Sequence, residues 1–262
     1  MALNDYLGCI VGGIPHGGTT FMSSLIKNLD GFCGSGTGNN SGFEYGLLFN
    51  QTPKTQNTNP FPMYRRYPDE RWGVDVKDRE YILNSNSFEE TYKRTIEKSS
   101  TLEEGKLIVD KAPHYVIRVE DIIAKAKGVP FIVTRRDIRN AYMSYTKKIR
   151  SLNQFFIQGN NLYTEQADER LEKLDKEGKI CLISHERLLL KDEKEIEKLE
   201  LYLGKKLPES FYNGDMIYGH QGKMNVDRAI SGYTKITEEQ IDAIKKHFPL
   251  YNKFLYAEGI DG

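Results

Sequence analysis

Short apolar runs alternate with longer amphipathic stretches along the chain. Four apolar runs have the length of buried strands: 7–14, 107–109, 130–134 and 179–184. Seven stretches carry apolar positions at helical spacing: 19–29, 88–99, 114–126, 137–150, 162–177, 192–203 and 237–247. Strands that alternate with helices predict an α/β fold, in which a central parallel sheet is flanked by helices.

Two segments depart from this pattern. Residues 31–42 (GFCGSGTGNNSG) hold five glycines, which predict a loop, and a short helix is expected over 43–50. Residues 51–80 begin with a stretch rich in Pro, Asn and aromatic side chains, which we interpret as a lid or substrate-binding excursion. Because no internal repeat is visible, the whole chain, 1–262, is predicted to form a single domain.

Composition narrows the choice of partner and compartment. Lys plus Arg and Asp plus Glu both number 37, so the balanced charge argues against a nucleic-acid partner, which would favour a basic excess. No apolar stretch reaches the ~20 residues of a membrane span, and no signal peptide is expected in MALNDYLGCIVGG. The three cysteines are far apart and are predicted to be buried core residues, so we expect a cytoplasmic protein without membrane partner.

A glycine-rich turn follows the first predicted strand and precedes the first predicted helix. Glycines at this place let backbone N–H groups approach an anion, to which the helix N-terminus is also attractive. The spacing is that of a nucleotide triphosphatase loop, but Thr19 stands where such a loop has its Lys, which argues against ATP or GTP hydrolysis. The candidate anion cradle consists of Pro15, His16, Gly17, Gly18, Thr19 and Thr20.

Four stretches of sequence resemble the sulfotransferase family. GIPHGGTTFMSSLI is similar to the loop that binds the 5′-phosphosulfate in that family, and FIVTRRDIRNAYMSY resembles its 3′-phosphate motif. DKAPHY resembles the Lys-x-Pro element of the carbohydrate and tyrosine-type members, and ISHERLLLKDEKEIEKLELYLG resembles a later strand and helix. The four occur in the family's order, so the resemblance implies its P-loop NTPase-like fold.

The resemblance also implies a donor nucleotide and the residues that bind it. The donor would be 3′-phosphoadenosine 5′-phosphosulfate (PAPS) and the product 3′-phosphoadenosine 5′-phosphate (PAP), with no metal ion. Arg136 and Ser144, eight residues apart as in the family's motif, would bind the 3′-phosphate, although Arg135 is an alternative. Lys223 and Arg228 lie in a late basic loop that would close over the nucleotide. The acceptor would be a hydroxyl or amine of a small molecule or glycan.

Candidate catalytic residues follow from what sulfuryl transfer requires. Lys111 and the loop amides would stabilise the charge on the leaving group and the sulfuryl oxygens. His16 occupies the position at which the family usually has Lys or Arg, so its charge would depend on pH. The resemblance implies Glu44 as the base, because GFEYGLLF is similar to the Gly-x-Glu segment of tyrosine- and carbohydrate-type members; His114, which directly follows Lys111-Ala-Pro, is the alternative.

Two other functions remain open at this point. In a P-loop kinase or NTPase, the strand that ends at Asp110 would bind magnesium. In a catalytically weakened sulfotransferase homologue, the nucleotide would still bind but His16 would not support turnover.

Overall fold

The computed structural model describes most of the chain. The described residues are 2–14, 16–34, 46–49, 73–148, 163–216, 226, 232, 234–248 and 250–256.

Five strands form one parallel sheet in the order β2-β3-β1-β4-β5. The strands are β1 (Leu7–Gly13), β2 (Phe32–Cys33), β3 (Leu107–Lys111), β4 (Phe131–Arg135) and β5 (Cys181–Ser184). In the register, Val11 of β1 lies beside Lys111 of β3, and Gly13 lies beside Thr134 of β4. The carboxyl ends of β1, β3 and β4 therefore meet at one edge of the sheet.

Helices follow the strands in the alternation that the sequence predicts. They are α1 (Thr19–Lys27), α2 (Arg79–Leu83), α3 (Phe88–Lys98), α4 (Val119–Lys125), α5 (Ile138–Lys148), α6 (Glu165–Lys176), α7 (His185–Leu189), α8 (Glu193–Leu203), α9 (Glu209–Tyr212) and α10 (Glu238–His247). At the start of α10, the Thr237 side chain accepts from the Gln240 N–H and the Gln240 side chain accepts from the Thr237 N–H, as the capping box predicts. The predicted α/β fold is confirmed.

Two predicted elements are wrong in detail, and a third is described only in part. The segment 31–42 was expected to be a loop, yet Phe32 and Cys33 form a strand because they pair with Leu107 and Ile108 of β3. The helix expected over 114–126 is divided into a 3₁₀ segment, Pro113–Arg118, and α4. Of the helix expected over 43–50, the described part is a 3₁₀ turn at Leu47–Phe49.

The core lies on both faces of the sheet. Ile10, Ile108 and Val133 pack on one face against the 3₁₀ segment 113–118, α4 and α6. Val11, Val109 and Ile132 pack on the other face against α1, α7 and α8. Cys9, Cys33 and Cys181 are free thiols inside this core, as predicted.

Two kinds of feature are absent from the described residues. No helix among them is long and apolar enough to cross a bilayer. No group of three or more His, Cys, Asp or Glu side chains among them could hold a metal ion.

Candidate active site

The loop between β1 and α1 is tightly folded around its glycines. The Gly17 N–H donates to the Ile14 carbonyl (2.7 Å), and a Cβ atom on Gly17 would lie 2.6 Å from that same oxygen. Gly18 has a φ of +90°, and its Cβ would lie 2.3 Å from Nδ1 of His185. Both positions therefore require glycine.

The first turn of α1 has no capping side chain. Gly18 is the N-cap residue, so no side chain at the cap position accepts a hydrogen bond from the first N–H groups of the helix. The buried Thr19 and the half-buried Thr20 add two hydroxyls to the same turn. Backbone N–H groups and hydroxyls at a helix N-terminus are suited to an anion.

Both the backbone and the imidazole of His16 make contacts that stabilise the loop. Its φ is +63°, a strained conformation for a residue with a Cβ atom. Nη1 of Arg136 donates to the His16 carbonyl at 2.6 Å, and the His16 ring packs edge-on against Tyr145 of α5 at 4.9 Å. The Arg136 hydrogen bond therefore stabilises the strained residue and joins the end of β4 to the loop.

Lys111 approaches the loop from the neighbouring strand. It is the last residue of β3 and is 3% exposed, and its Nζ lies 3.4 Å from Oγ1 of Thr20. Asp110, one residue earlier, points to the other face of the strand, as the alternation of side chains requires. Its carboxylate accepts from the hydroxyls of Tyr92 and Tyr115 and from the Gly46 N–H (3.3 Å).

Arg135 and Arg136 serve different parts of the structure. Arg135 pairs with Asp168 and Glu172 of α6 and stacks over the Tyr256 ring. Arg136 remains at the loop, where only 11% of its side chain is exposed. The structure thus places Arg136 beside the cradle.

Next to Arg136 is a buried polar cluster that the sequence motifs do not predict. Oε1 of Glu186 lies 3.4 Å from Nε of Arg136 and accepts from Nδ2 of Asn140 (2.9 Å), while Oε2 accepts from the Asp137 N–H (3.2 Å). Burial raises the pKa of Glu186 to about 7, although the charge of Arg136 opposes this rise. Asp137 in turn forms a two-point ion pair with Arg139 (2.7 and 2.8 Å).

The His185 side chain packs against the loop at Gly18. Its ring fills the space next to Gly18 and packs edge-on against Phe21 of α1 at 5.5 Å. Burial, and secondly the charge of Arg136, lower the pKa of His185 well below its ordinary value. The ring is therefore neutral at physiological pH.

The predicted site residues divide into three groups. The structure brings together His16, Gly17, Gly18, Thr19, Thr20, Lys111 and Arg136 at the carboxyl edge of the sheet. Ser144 is half-buried on α5 beside Tyr145, and His114 is half-buried in the 3₁₀ segment that follows β3. Pro15, Glu44, Lys223 and Arg228 lie outside the described residues.

The sequence analysis does not name His185 and Glu186 as site residues, although polar residues directly after a buried strand are a signal for them. His185 and Glu186 follow β5 immediately, in the way that Arg136 follows β4. In open α/β sheets, ligands bind outside the carboxyl ends of the strands.

Comparison with solved structures identifies the fold. No protein-family model and no curated protein matches the chain. The chain has the sulfotransferase fold, as the sequence motifs predict. It superimposes on the sulfotransferase domain of the Synechococcus PCC 7002 olefin synthase with a TM-score of 0.61 and 15% identity, covering 97% of this chain and 95% of that one. It also superimposes on the sulfotransferase domain from the curacin biosynthetic pathway, with a TM-score of 0.56, 13% identity, and coverage of 93% and 98%.

Proposed function

We propose that this protein transfers a sulfuryl group from PAPS to a hydroxyl or amine of a small molecule or glycan, in line and without a metal ion. The observation that carries the proposal is the hydrogen bond from Arg136 to His16, which brings a guanidinium to the anion cradle. A donor with two separate anionic ends requires a binding group for each end. The cradle suits one end and the Arg136 guanidinium suits the other.

The residues present fit this nucleotide. The close contacts at Gly17 and Gly18 leave no room for side chains, so only backbone faces an anion there. The first N–H groups of α1, the Thr20 hydroxyl and the Lys111 ammonium would bind the 5′ end. Arg136, with Ser144, would bind the 3′-phosphate. PAPS supplies a sulfuryl group on a good leaving group.

The chemistry then depends on charge and alignment. Sulfuryl transfer resembles phosphoryl transfer, in which positioning and electrostatic stabilisation contribute most of the rate. Lys111 would offset the negative charge that develops on the leaving oxygen, and its nearly complete burial strengthens that interaction. The proton of the acceptor would pass to Glu44 or, in the alternative, to His114.

Asp110 disfavours the kinase or NTPase alternative. A magnesium-binding aspartate would have to present its carboxylate to the loop at the sheet edge. Instead, Asp110 accepts hydrogen bonds from Tyr92, Tyr115 and Gly46 on the other face of β3.

Two measurements test the proposal. In thermal unfolding, PAP in the presence of a chelator should raise the Tm, whereas ATP with magnesium should not; the reverse result would support the kinase. Transfer of labelled sulfate from PAPS to a library of acceptors then separates an active enzyme from a weakened homologue.

The substitution Lys111→Met tests the catalytic role. It should lower transfer by about 100-fold or more, the typical effect of removing one stabilising group from a transition state. Lys106→Met is the matched control because Lys106 lies just before the opposite end of β3 and pairs with Glu103. Equal activity of the two variants would remove Lys111 from the mechanism.

A further inference from the structure

Glu186 is buried at a position where two hydrogen-bond donors and the Arg136 guanidinium converge. These are Nε of Arg136, Nδ2 of Asn140 and the Asp137 N–H, and they approach two carboxylate oxygens on a residue with no exposed surface. Above its raised pKa of about 7, the ionised Glu186 carboxylate can accept at both oxygens, and each oxygen faces at least one N–H. The donors lie between the end of β4 and the first turn of α5, while Glu186 lies in the first turn of α7, directly after β5.

This arrangement fixes Arg136 from two sides. The His16 carbonyl accepts from Nη1 of the guanidinium, and the Glu186 carboxylate lies against its Nε. A flexible arginine would lose side-chain entropy on binding an anion, whereas a guanidinium already held by one hydrogen bond and one ion pair loses less. When it is ionised, above its raised pKa of about 7, Glu186 also compensates the burial of the Arg136 charge.

We infer that Glu186 is a positioning residue that orients the Arg136 guanidinium for the 3′-phosphate of the nucleotide. The inference rests on the proposed function, since it assigns Arg136 to that phosphate. Glu186 does not itself touch the nucleotide. Its effect should therefore depend on whether the ligand carries a 3′-phosphate.

Glu186→Gln is the informative substitution. A glutamine has nearly the same shape, but its NH₂ group must face either the Asp137 N–H or the Arg136 and Asn140 donors. One donor set thus loses its acceptor, and Arg136 loses its charged partner.

The matched control is Glu200→Gln. Glu200 is also a buried carboxylate with three donors, the Leu207 N–H, the Tyr212 hydroxyl and the Lys206 ammonium, but these donors belong to the region after α8. Both substitutions replace a buried carboxyl group by an amide of nearly the same shape. Only one of them should change the recognition of the 3′-phosphate.

The experiment compares the affinities of PAP and adenosine 5′-phosphate by calorimetry, at a temperature where both variants are folded. In the unsubstituted protein, PAP should bind more tightly. In Glu186→Gln, we expect PAP affinity to fall at least about tenfold, the lower end of what hydrogen bonds to charged groups contribute. The affinity for adenosine 5′-phosphate should fall less than about threefold. The ratio should be unchanged in Glu200→Gln.

The outcomes distinguish this inference from the proposed function. If the unsubstituted protein does not prefer PAP, the proposed assignment of Arg136 fails. If it does prefer PAP and Glu186→Gln retains the full preference, the positioning role of Glu186 is wrong while the proposed function stands. Equal losses for both nucleotides would also overturn the inference, because they would indicate a general structural role.

Discussion

Gly18→Ala should damage the anion cradle through a single methyl group. The new Cβ would lie 2.3 Å from Nδ1 of His185, and the residue would have to keep a φ of +90°. A left-handed conformation costs an L-residue about 1–2 kcal/mol, and overpacking costs about 1–3 kcal/mol. We therefore expect the free energy of unfolding to fall by roughly 2–5 kcal/mol.

Gly204→Ala separates these two contributions. Gly204 follows α8 with a φ of +63°, but its Cβ would meet no atom within 4 Å. This control should lose only the conformational part, about 1–2 kcal/mol. Urea unfolding followed by circular dichroism measures both values.

A double-mutant cycle tests the contact directly. In the background of His185→Ala, Gly18→Ala should be less harmful, because the ring that it meets has been removed. Stability of Gly18→Ala equal to that of Gly204→Ala, together with no coupling to His185, would refute the claim that the His185 ring packs against the loop.

Three further predictions concern acidic residues. Asp110→Asn should lower the free energy of unfolding, measured by urea denaturation, by about 1.5–3 kcal/mol. PAP affinity should not change, because Asp110 accepts hydrogen bonds from Tyr92 and Tyr115 and does not face the ligand. Loss of PAP binding by the folded variant would contradict this. The folded-state pKa of Glu186 is raised from 4.5 to about 7, so its contribution to stability is present below pH 4.5 and is lost as pH rises to 7. Across that window, the free energy of unfolding of the unsubstituted protein should fall by roughly 3 kcal/mol relative to that of Glu186→Gln. A difference that stays constant with pH would be inconsistent with this pKa. Glu44→Gln should abolish transfer but not PAP binding, and an active variant would assign the base to His114.

The sheet and the loop could be predicted because their signals are local. Apolar runs of strand length and a glycine turn before a helix are visible within a few residues, so β1, α1 and the cradle follow from the sequence. The strand at Phe32 and Cys33 could not be predicted in this way. Two residues between Gly31 and Gly34 show no periodicity, and they are a strand only because Ile108 and Leu107 lie beside them.

The buried polar groups could not be predicted because their partners are distant in sequence. Asp110 directly follows the apolar run 107–109, and this position is equally consistent with a metal ligand and with a buried hydrogen-bond acceptor. The hydroxyl of Tyr92, 18 residues earlier, decides between these interpretations in the structure. Similarly, Glu186 obtains its environment from Asn140, 46 residues away.

The central claim is that the loop binds the 5′-phosphate and Arg136 binds the 3′-phosphate of one nucleotide. A crystal structure of the protein with PAP, grown without metal ions, tests it most directly. We expect the 5′-phosphate at the N–H groups that open α1 and the 3′-phosphate within hydrogen-bonding distance of the Arg136 guanidinium. A 3′-phosphate held elsewhere, with the Arg136 guanidinium still against His16 and Glu186, would contradict the account.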